Sequence, residues 1–219
     1  MRKLAAHDRA YDLVVAEEHL FYRVSRTNYP GQEDTFVQHD LTRGWEVSEQ
    51  AYNQAKYRGP LLPYQAGEKV AFLPNGDSLR CAFQDSVVRR FSPMGQLLRE
   101  LPTSIESVMS IYSIALDAEA RLWTAVPSFH QVAQYEVDSA QKLCEVGGSW
   151  DPTELNHPEE VICYENDLFI SDMGNERLVL LDTQTKALST YRTFTQSVWQ
   201  YRRLRGQEVV RLQDGLYVL

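Results

Sequence analysis

An internal repeat constrains the fold of this chain more than any other feature of its sequence. The most regular copy, residues 161–182, reads as three short strands separated by turns, because apolar and polar residues alternate and β-branched residues are frequent. The same pattern recurs at residues 70–101 and 114–137, and weaker copies lie at 13–40 and 209–219. A chain that repeats its strand pattern in this way folds into repeated supersecondary units.

One leucine in each copy marks the period. The interval between these leucines is close to the ~40 to 50 residues of a four-stranded propeller blade, except for the first interval, which carries an insertion at residues 44–68. The insertion is rich in tyrosine and proline, so we expect it to be ordered. The marker leucines are Leu20, Leu79, Leu122, Leu168 and Leu216.

The repeat predicts an all-β fold, a single β-propeller domain over residues 1–219 with about five repeats of four-stranded antiparallel blades. A sandwich of two antiparallel sheets is the alternative, although it does not explain the repeated leucines. The strand pattern runs out at Leu219 and leaves the last blade incomplete. Three arrangements follow: the N-terminal strand completes that blade, the propeller stays an open arc, or another subunit covers the edge. We favour the first.

Several segments resemble the consensus of the NHL repeat. The resemblance is best at residues 157–161 (His-Pro-Glu-Glu-Val) and 167–178 (Asp-Leu-Phe-Ile-Ser-Asp-Met-Gly-Asn-Glu-Arg-Leu), and residues 88–99 resemble it as well. The resemblance implies a β-propeller, usually of six blades. It says little about the ligand, because one fold serves many functions.

A more distant resemblance connects the chain to the gluconolactonase and senescence-marker propellers. Residues 111–125 are similar to the strand that carries the aspartate ligand of the divalent cation in that family. This chain has Tyr112 at the ligand position, and a phenol is a poor ligand for a hard cation. Glu17 or Glu18 could replace the family's glutamate. A metal-dependent lactonase-like hydrolase, holding one divalent cation such as calcium, is therefore an alternative function.

Composition and charge narrow the class of protein further. The 219 residues are 43% hydrophobic and 24% charged, which is typical of a globular protein. The N-terminus lacks a signal-peptide core and no apolar run could insert into a membrane, so we expect a cytoplasmic location. The three cysteines are widely spaced and fit reduced thiols. The acidic net charge of −8 makes a nucleic-acid partner a weak expectation.

Two groups of residues are candidates for a binding site, and no catalytic residue or metal ligand set is predicted. Asp172, Asn175 and Arg177 fall in one turn and could line a polar ligand site, although such groups more often satisfy the turn itself. The second group is a basic tract with an adjacent tryptophan, which fits an acidic protein surface or single-stranded RNA. It consists of Trp199, Arg202, Arg203 and Arg205.

The sequence therefore favours a non-catalytic propeller that serves as a protein-binding or assembly module and needs no cofactor. Its partner is another protein, or a second copy held at the incomplete last blade. The lactonase-like hydrolase and an RNA-binding propeller are the alternatives, and whether the chain is an enzyme stays open.

Overall fold

The structure, a computed structural model, describes residues 1–5, 9–25, 33–58, 67–82, 85–102, 110–148 and 154–219. These residues form five four-stranded antiparallel sheets, the blades of a β-propeller. The chain divides into two compact units, one of residues 1–67 with 200–219 and one of residues 68–199. The prediction of an all-β propeller with about five blades is confirmed. That the whole chain is one domain stays a prediction.

The first unit begins with a strand that does not belong to the first blade. Its N-terminal elements are β1 (Arg2–Ala5), β2 (Ala10–Ala16), β3 (His19–Val24), β4 (Thr35–His39), β5 (Gly44–Val47) and the helix α1 (Glu49–Tyr57). Strands β2 to β5 form blade 1 in chain order.

The second unit holds three blades, each of which follows the chain in order. Blade 2 consists of β6 (Lys69–Phe72), β7 (Ser78–Cys81), β8 (Val87–Phe91) and β9 (Leu97–Pro102). Blade 3 consists of β10 (Ser113–Leu116), β11 (Leu122–Val126), β12 (Gln131–Tyr135) and β13 (Lys142–Gly147). Blade 4 consists of β14 (Pro158–Tyr164), β15 (Asp167–Asp172), β16 (Arg177–Asp182) and β17 (Leu188–Thr193).

Blade 5 is completed by the N-terminal strand. It contains β18 (Val198–Leu204), β19 (Gln207–Leu212) and β20 (Gly215–Val218), and β1 pairs with β20 as the fourth strand. The register places Arg2 opposite Val218 and Lys3 opposite Tyr217. Of the three arrangements that the sequence allowed for the last blade, the structure has the one that pairs the two ends of the chain. The blade is therefore complete, and the edge expected to accept a second copy is occupied by β1.

Four of the five marker leucines occupy equivalent positions in their blades. Leu20, Leu79, Leu122 and Leu168 all lie in the second strand of a blade, and all are fully buried. Leu216 lies instead in β20, the third strand of blade 5, so the second strand there is β19. A buried leucine in a third strand has the same alternation as one in a second strand, and the pattern alone does not distinguish them.

The segment expected as an insertion has two parts that the structure describes. Residues 44–47 are β5, the fourth strand of blade 1, and α1 follows; residues 59–66 lie outside the described residues. Ser48 caps the helix by accepting a hydrogen bond from the Ala51 amide at 3.2 Å. Tyr52 anchors it, because its ring lies 5.0 Å from that of Phe36 and its hydroxyl donates to the Asp12 carbonyl at 2.7 Å.

Three hydrophobic clusters lie between neighbouring blades. In the second unit one cluster joins blade 2 to blade 3 through residues such as Leu79 and Leu122, and another joins blade 3 to blade 4 through Trp123 and Leu168. Blades 1 and 5 share a third cluster in the first unit. A four-stranded sheet cannot bury both of its faces alone, and stacking the blades removes this apolar surface from water.

The cysteines form no disulfide. Cys81 is buried, and Cys144 and Cys163 are half-buried. Burial raises the pKa of the Cys81 and Cys163 thiols to about 12, which keeps both protonated at neutral pH.

Candidate functional site

The structure brings together the three predicted residues of the turn in blade 4. Asp172 ends β15, is fully buried, and accepts hydrogen bonds from the Asn156 amide at 2.6 Å, from Asn175 Nδ2 at 2.9 Å and from Arg177 Nε at 2.6 Å. Asp172 and Arg177 are also directly opposite in the β15–β16 ladder. One carboxylate therefore closes the turn and fixes the segment that leads into blade 4.

Arg177 uses its other nitrogens to bind the segment before blade 4 and the strand β17. It donates to the Glu154 carbonyl and to the Thr190 hydroxyl, the latter at 3.2 Å. The turn also requires Gly174, because a Cβ there would lie 2.6 Å from the Asn156 side chain. The polar groups of the predicted cluster are directed at one another and at the backbone, and a role of this cluster in binding a ligand stays a prediction.

The corresponding turn in blade 3 has the same backbone but different side chains. In both blades a short 3-10 turn follows the second strand, and a residue with positive φ ends it: His130 in blade 3 and Glu176 in blade 4. The ladder pair at this point is Val126 with Gln131 in place of the aspartate and arginine. Gln131 Oε1 is buried, and the described residues offer it no hydrogen-bond partner.

Two histidines meet beside this blade 3 turn. His130 Nδ1 accepts a hydrogen bond from the His157 amide at 3.0 Å, and the His157 ring lies 6.4 Å from that of Tyr112 in an edge-to-face arrangement. Burial, with a smaller contribution from His130, lowers the pKa of His157 below its ordinary value. Both residues are half-buried. The residue at the lactonase family's ligand position, Tyr112, thus packs against an imidazole.

The basic tract lies on β18 and the turn after it, and its arginines have partners within the first unit. Arg202 donates to the Leu13 carbonyl at 2.8 Å and to the Tyr201 carbonyl at 2.6 Å. Arg203 donates to the Tyr201 hydroxyl at 2.9 Å, and Arg205 Nε lies 3.6 Å from a Glu18 carboxylate oxygen. Arg202 therefore connects blade 5 to blade 1, whereas Arg203 and Arg205 are held near the surface. Trp199 is a half-buried residue of the same strand.

Arg203 lines an open groove on blade 5. The groove has a volume of about 990 Å³ and is bordered by the β18–β19 turn and the ends of β1 and β20. Its walls carry the cations Arg2 and Arg203, the anion Glu208 and the apolar side chain of Val218. Of the predicted tract, Arg203 borders this groove.

The residues considered for the metal-dependent alternative differ in solvent exposure. Tyr112 is half-buried against the His157 ring. Glu17 and Glu18 form the exposed turn between β2 and β3, both with positive φ. Across the described ranges, no group of three or more histidine, cysteine, aspartate and glutamate side chains is placed to hold a metal ion.

Exposed apolar side chains on blade 2 were not predicted as a site. The turn that leads into β9 leaves Met94 84% exposed, and within β9 Leu97 and Leu98 are 48% and 50% exposed. Their signal in the sequence is the Leu-Leu pair, because at most one of two successive side chains of a strand can face the core.

Where the structure describes the chain, it contains no helix that is long and apolar enough to cross a membrane. A cytoplasmic location stays a prediction.

The comparisons with known proteins support the fold. No protein-family model and no curated protein matches the chain. Among solved structures, virginiamycin B lyase from Staphylococcus aureus is similar, with 10% identity, 94% of this chain and 64% of that chain covered, and a TM-score of 0.56. A streptogramin B lyase gives the same identity and TM-score with 65% of its chain covered. This chain thus spans less than two thirds of either lyase.

The similar structures also include one with a bound peptide and one of WD40 repeats. YCF48 bound to D1 peptide is similar over 94% of this chain and 75% of that chain, with 9% identity and a TM-score of 0.57. The WD40 repeats of RRP9 cover 73% of this chain and 52% of that chain, with 13% identity and a TM-score of 0.55. At these identities the likeness concerns the fold alone, and the NHL assignment stays a prediction. Together with the five blades, these likenesses make the chain a β-propeller.

Proposed function

We propose that this propeller is a non-catalytic, protein-binding module of an assembly. The observation that carries the proposal is the exposed apolar hairpin of blade 2, formed by Met94, Leu97 and Leu98. Three large hydrophobic side chains within five residues lose contact with water when a partner covers them. Full burial of an exposed side chain of this size contributes ~1.5 to 3 kcal/mol, and the half-exposed Leu97 and Leu98 gain about half of that. The fully buried centre of a protein interface is apolar, and methionine is enriched there.

The contacts of the predicted polar residues agree with this function. Asp172, Asn175 and Arg177 bond to one another and to the backbone, so they stabilise blade 4 and its entrance segment. Peptide recognition by a similar fold is consistent with the proposal, since the YCF48 propeller has a D1 peptide bound to it. Within the proposal, Arg203 and the groove beside it form a second surface, one that suits an acidic side chain of a partner.

The test is the native mass of the protein isolated gently from its own source, with identification of the polypeptides that accompany it. We expect a complex well above the 25.2 kDa of the chain. The double variant Leu97→Ser with Leu98→Ser should lose the accompanying polypeptides, because a polar hairpin no longer gains from burial. Leu143→Ser, at a leucine of β13 that is 42% exposed, is the matched control and should keep them.

Two further results decide the proposal. Arg203→Glu reports whether the groove of blade 5 contributes, since reversing a charge at the rim weakens association with an acidic surface. A chain that is isolated alone, as a monomer, in the wild-type form would overturn the proposal. An unchanged melting temperature in each variant shows that the loss concerns binding and not folding.

A further inference from the structure

The fourth strand of blade 4 is an exposed edge. β17 is hydrogen-bonded to β16 on one side and ends the sheet order of its blade. All five residues from 189 to 193 are exposed. An edge strand presents backbone N–H and C=O groups on its outer side and can pair with a further strand.

The other fourth strands of the molecule carry the devices that normally prevent such pairing. β9 has Arg99 and Glu100 and ends at Pro102, whereas β13 has charges at Lys142 and Glu145. Both also have a bulge near their first ladder pair. The two remaining fourth strands are short: β1 carries Arg2 and Lys3, and β5 carries Glu46 and begins with a glycine. Charges, proline, bulges and short length all disfavour strand addition.

β17 differs from these strands in the part that pairs regularly. Leu188, Ser189 and Thr190 lie opposite consecutive residues of β16 and carry no charge. The bulge follows at Tyr191, on the C-terminal side of this regular part, and the Tyr191 ring packs edge-to-face on Phe169 at 5.0 Å. The strand is rich in serine, threonine and tyrosine and contains no proline, a composition that favours pairing.

Arg192 gives the edge a charge preference. Its side chain is exposed to solvent. It is the single charged residue of β17. A strand added beside β17 would bring one of its side chains next to this guanidinium, where a carboxylate can form a charge-assisted hydrogen bond.

We propose that β17 is a docking strand that accepts an extended segment of a partner protein, with an acidic side chain of the segment placed beside Arg192. The inference rests on the proposed function, because it names the kind of segment that the binding module takes. A second copy of this chain is a poorer occupant: each copy carries a net charge of −8, and two such molecules repel each other.

The probe is a displayed library of random peptides about nine residues long, enough to span a strand of ordinary length. We expect selection of peptides in which β-branched or aromatic residues surround one aspartate or glutamate. The best peptide is then synthesised in two N-methylated forms, methylated along one edge or along the other. One form should lose binding and the other keep it, because strand addition uses the N–H groups of one edge.

The charge preference is tested on the folded protein by calorimetry. Arg192→Glu should weaken the selected peptide about tenfold, and a peptide with lysine in place of the acidic residue should recover the loss. Lys142→Glu, at an exposed cation of β13 that already pairs with Glu145 at 2.5 Å, is the matched control and should leave the affinity unchanged.

The proposal is wrong if no peptide is enriched, if both N-methylated forms bind equally, or if the purified chain sediments as a dimer that Arg192→Glu dissociates. The selected peptide should bind the Leu97→Ser, Leu98→Ser variant as it binds the wild type. A negative result with the peptides would therefore overturn the β17 proposal and leave the blade 2 surface untouched. Loss of support for the blade 2 surface would likewise leave the β17 proposal untouched.

Discussion

Two contacts between neighbouring blades of the second unit use the same turn but different chemistry. In both, the turn between the third and fourth strands reaches back to the third strand of the preceding blade. Asp138 of blade 3 meets Arg90 of blade 2 at 2.8 Å, with the Asp138 side chain 85% exposed. Lys186 of blade 4 meets Gln134 of blade 3 at 2.9 Å and is half-buried.

The contact of blades 3 and 4 is part of a larger buried group. Gln134 Nε2 donates to Asp117 at 2.7 Å, and the same carboxylate oxygen accepts from Trp123 Nε1 at 3.0 Å. The Lys186 ammonium also lies 4.9 Å above the Trp123 ring, in cation–π geometry. Away from water these interactions are stronger, and each group left without its partner costs more.

The contact of blades 2 and 3 depends instead on an ion pair in which one partner, Asp138, is exposed. Arg90 also pairs with Asp77 at 2.7 Å, within its own blade. The hydrogen bond from Asn75, together with Arg90, lowers the pKa of the Asp77 carboxyl below its ordinary value. Exposed ion pairs contribute little, because water screens them and holding long side chains in place costs entropy. The two contacts therefore share a position in the fold and differ in how much they stabilise it.

The largest effect is expected from Asp117→Ala. The carboxylate accepts from Trp123, Gln134 and the Arg121 amide, and its removal leaves buried donors without an acceptor. We expect the free energy of unfolding to fall by about 3 kcal/mol, measured by denaturant unfolding. Asp182→Ala is the control, because Asp182 accepts from two turn amides at a less buried site and should cost less. Equal losses in the two variants would remove the distinction between a buried network and a turn cap.

A smaller effect is expected from Lys186→Met. Methionine keeps an apolar side chain over Trp123 but removes the ammonium that donates to Gln134 Oε1. We expect a loss of about 1 kcal/mol, the cost typical of one hydrogen bond, because the buried Gln134 Oε1 still accepts from the Cys144 thiol at 3.5 Å. In the Asp117→Ala background the loss should shrink, since Gln134 is then no longer held. Full additivity in the double variant would show that Lys186 acts independently of the network.

The sequence predicted the features that depend on neighbouring residues. Strand alternation gave the blades, and the need to protect an edge favoured pairing of β1 with blade 5. Asp172, Asn175 and Arg177 lie within one turn, so their proximity followed directly. The helix α1 was missed, although Ser48 followed by Glu49 is a typical helix start.

Contacts between distant parts of the chain could not be predicted in this way. The bond from Arg202 to the Leu13 carbonyl joins residues 189 positions apart, and it makes a predicted surface arginine part of the fold. Lys186 and Gln134 are 52 positions apart. Such pairs depend on the stacking of blades, which a single sequence does not specify residue by residue. The exposure of Leu97 and Leu98 depends on it too, because alternation cannot say which side of a strand remains uncovered.

The smallest effect is expected at the exposed contact, from Asp138→Ala. The variant removes the ion pair with Arg90, which keeps its second partner Asp77. We expect a loss within about 0.5 kcal/mol at low salt, and salt screening should remove it. Denaturant unfolding of Asp138→Ala and Lys186→Met, each with and without added salt, compares the two contacts directly. Salt should bring Asp138→Ala to the wild-type value and leave Lys186→Met well below it, because a half-buried hydrogen bond is screened far less. If salt restored the free energy of unfolding of both variants equally, the contact of blades 3 and 4 would depend on screened charges just as the contact of blades 2 and 3 does.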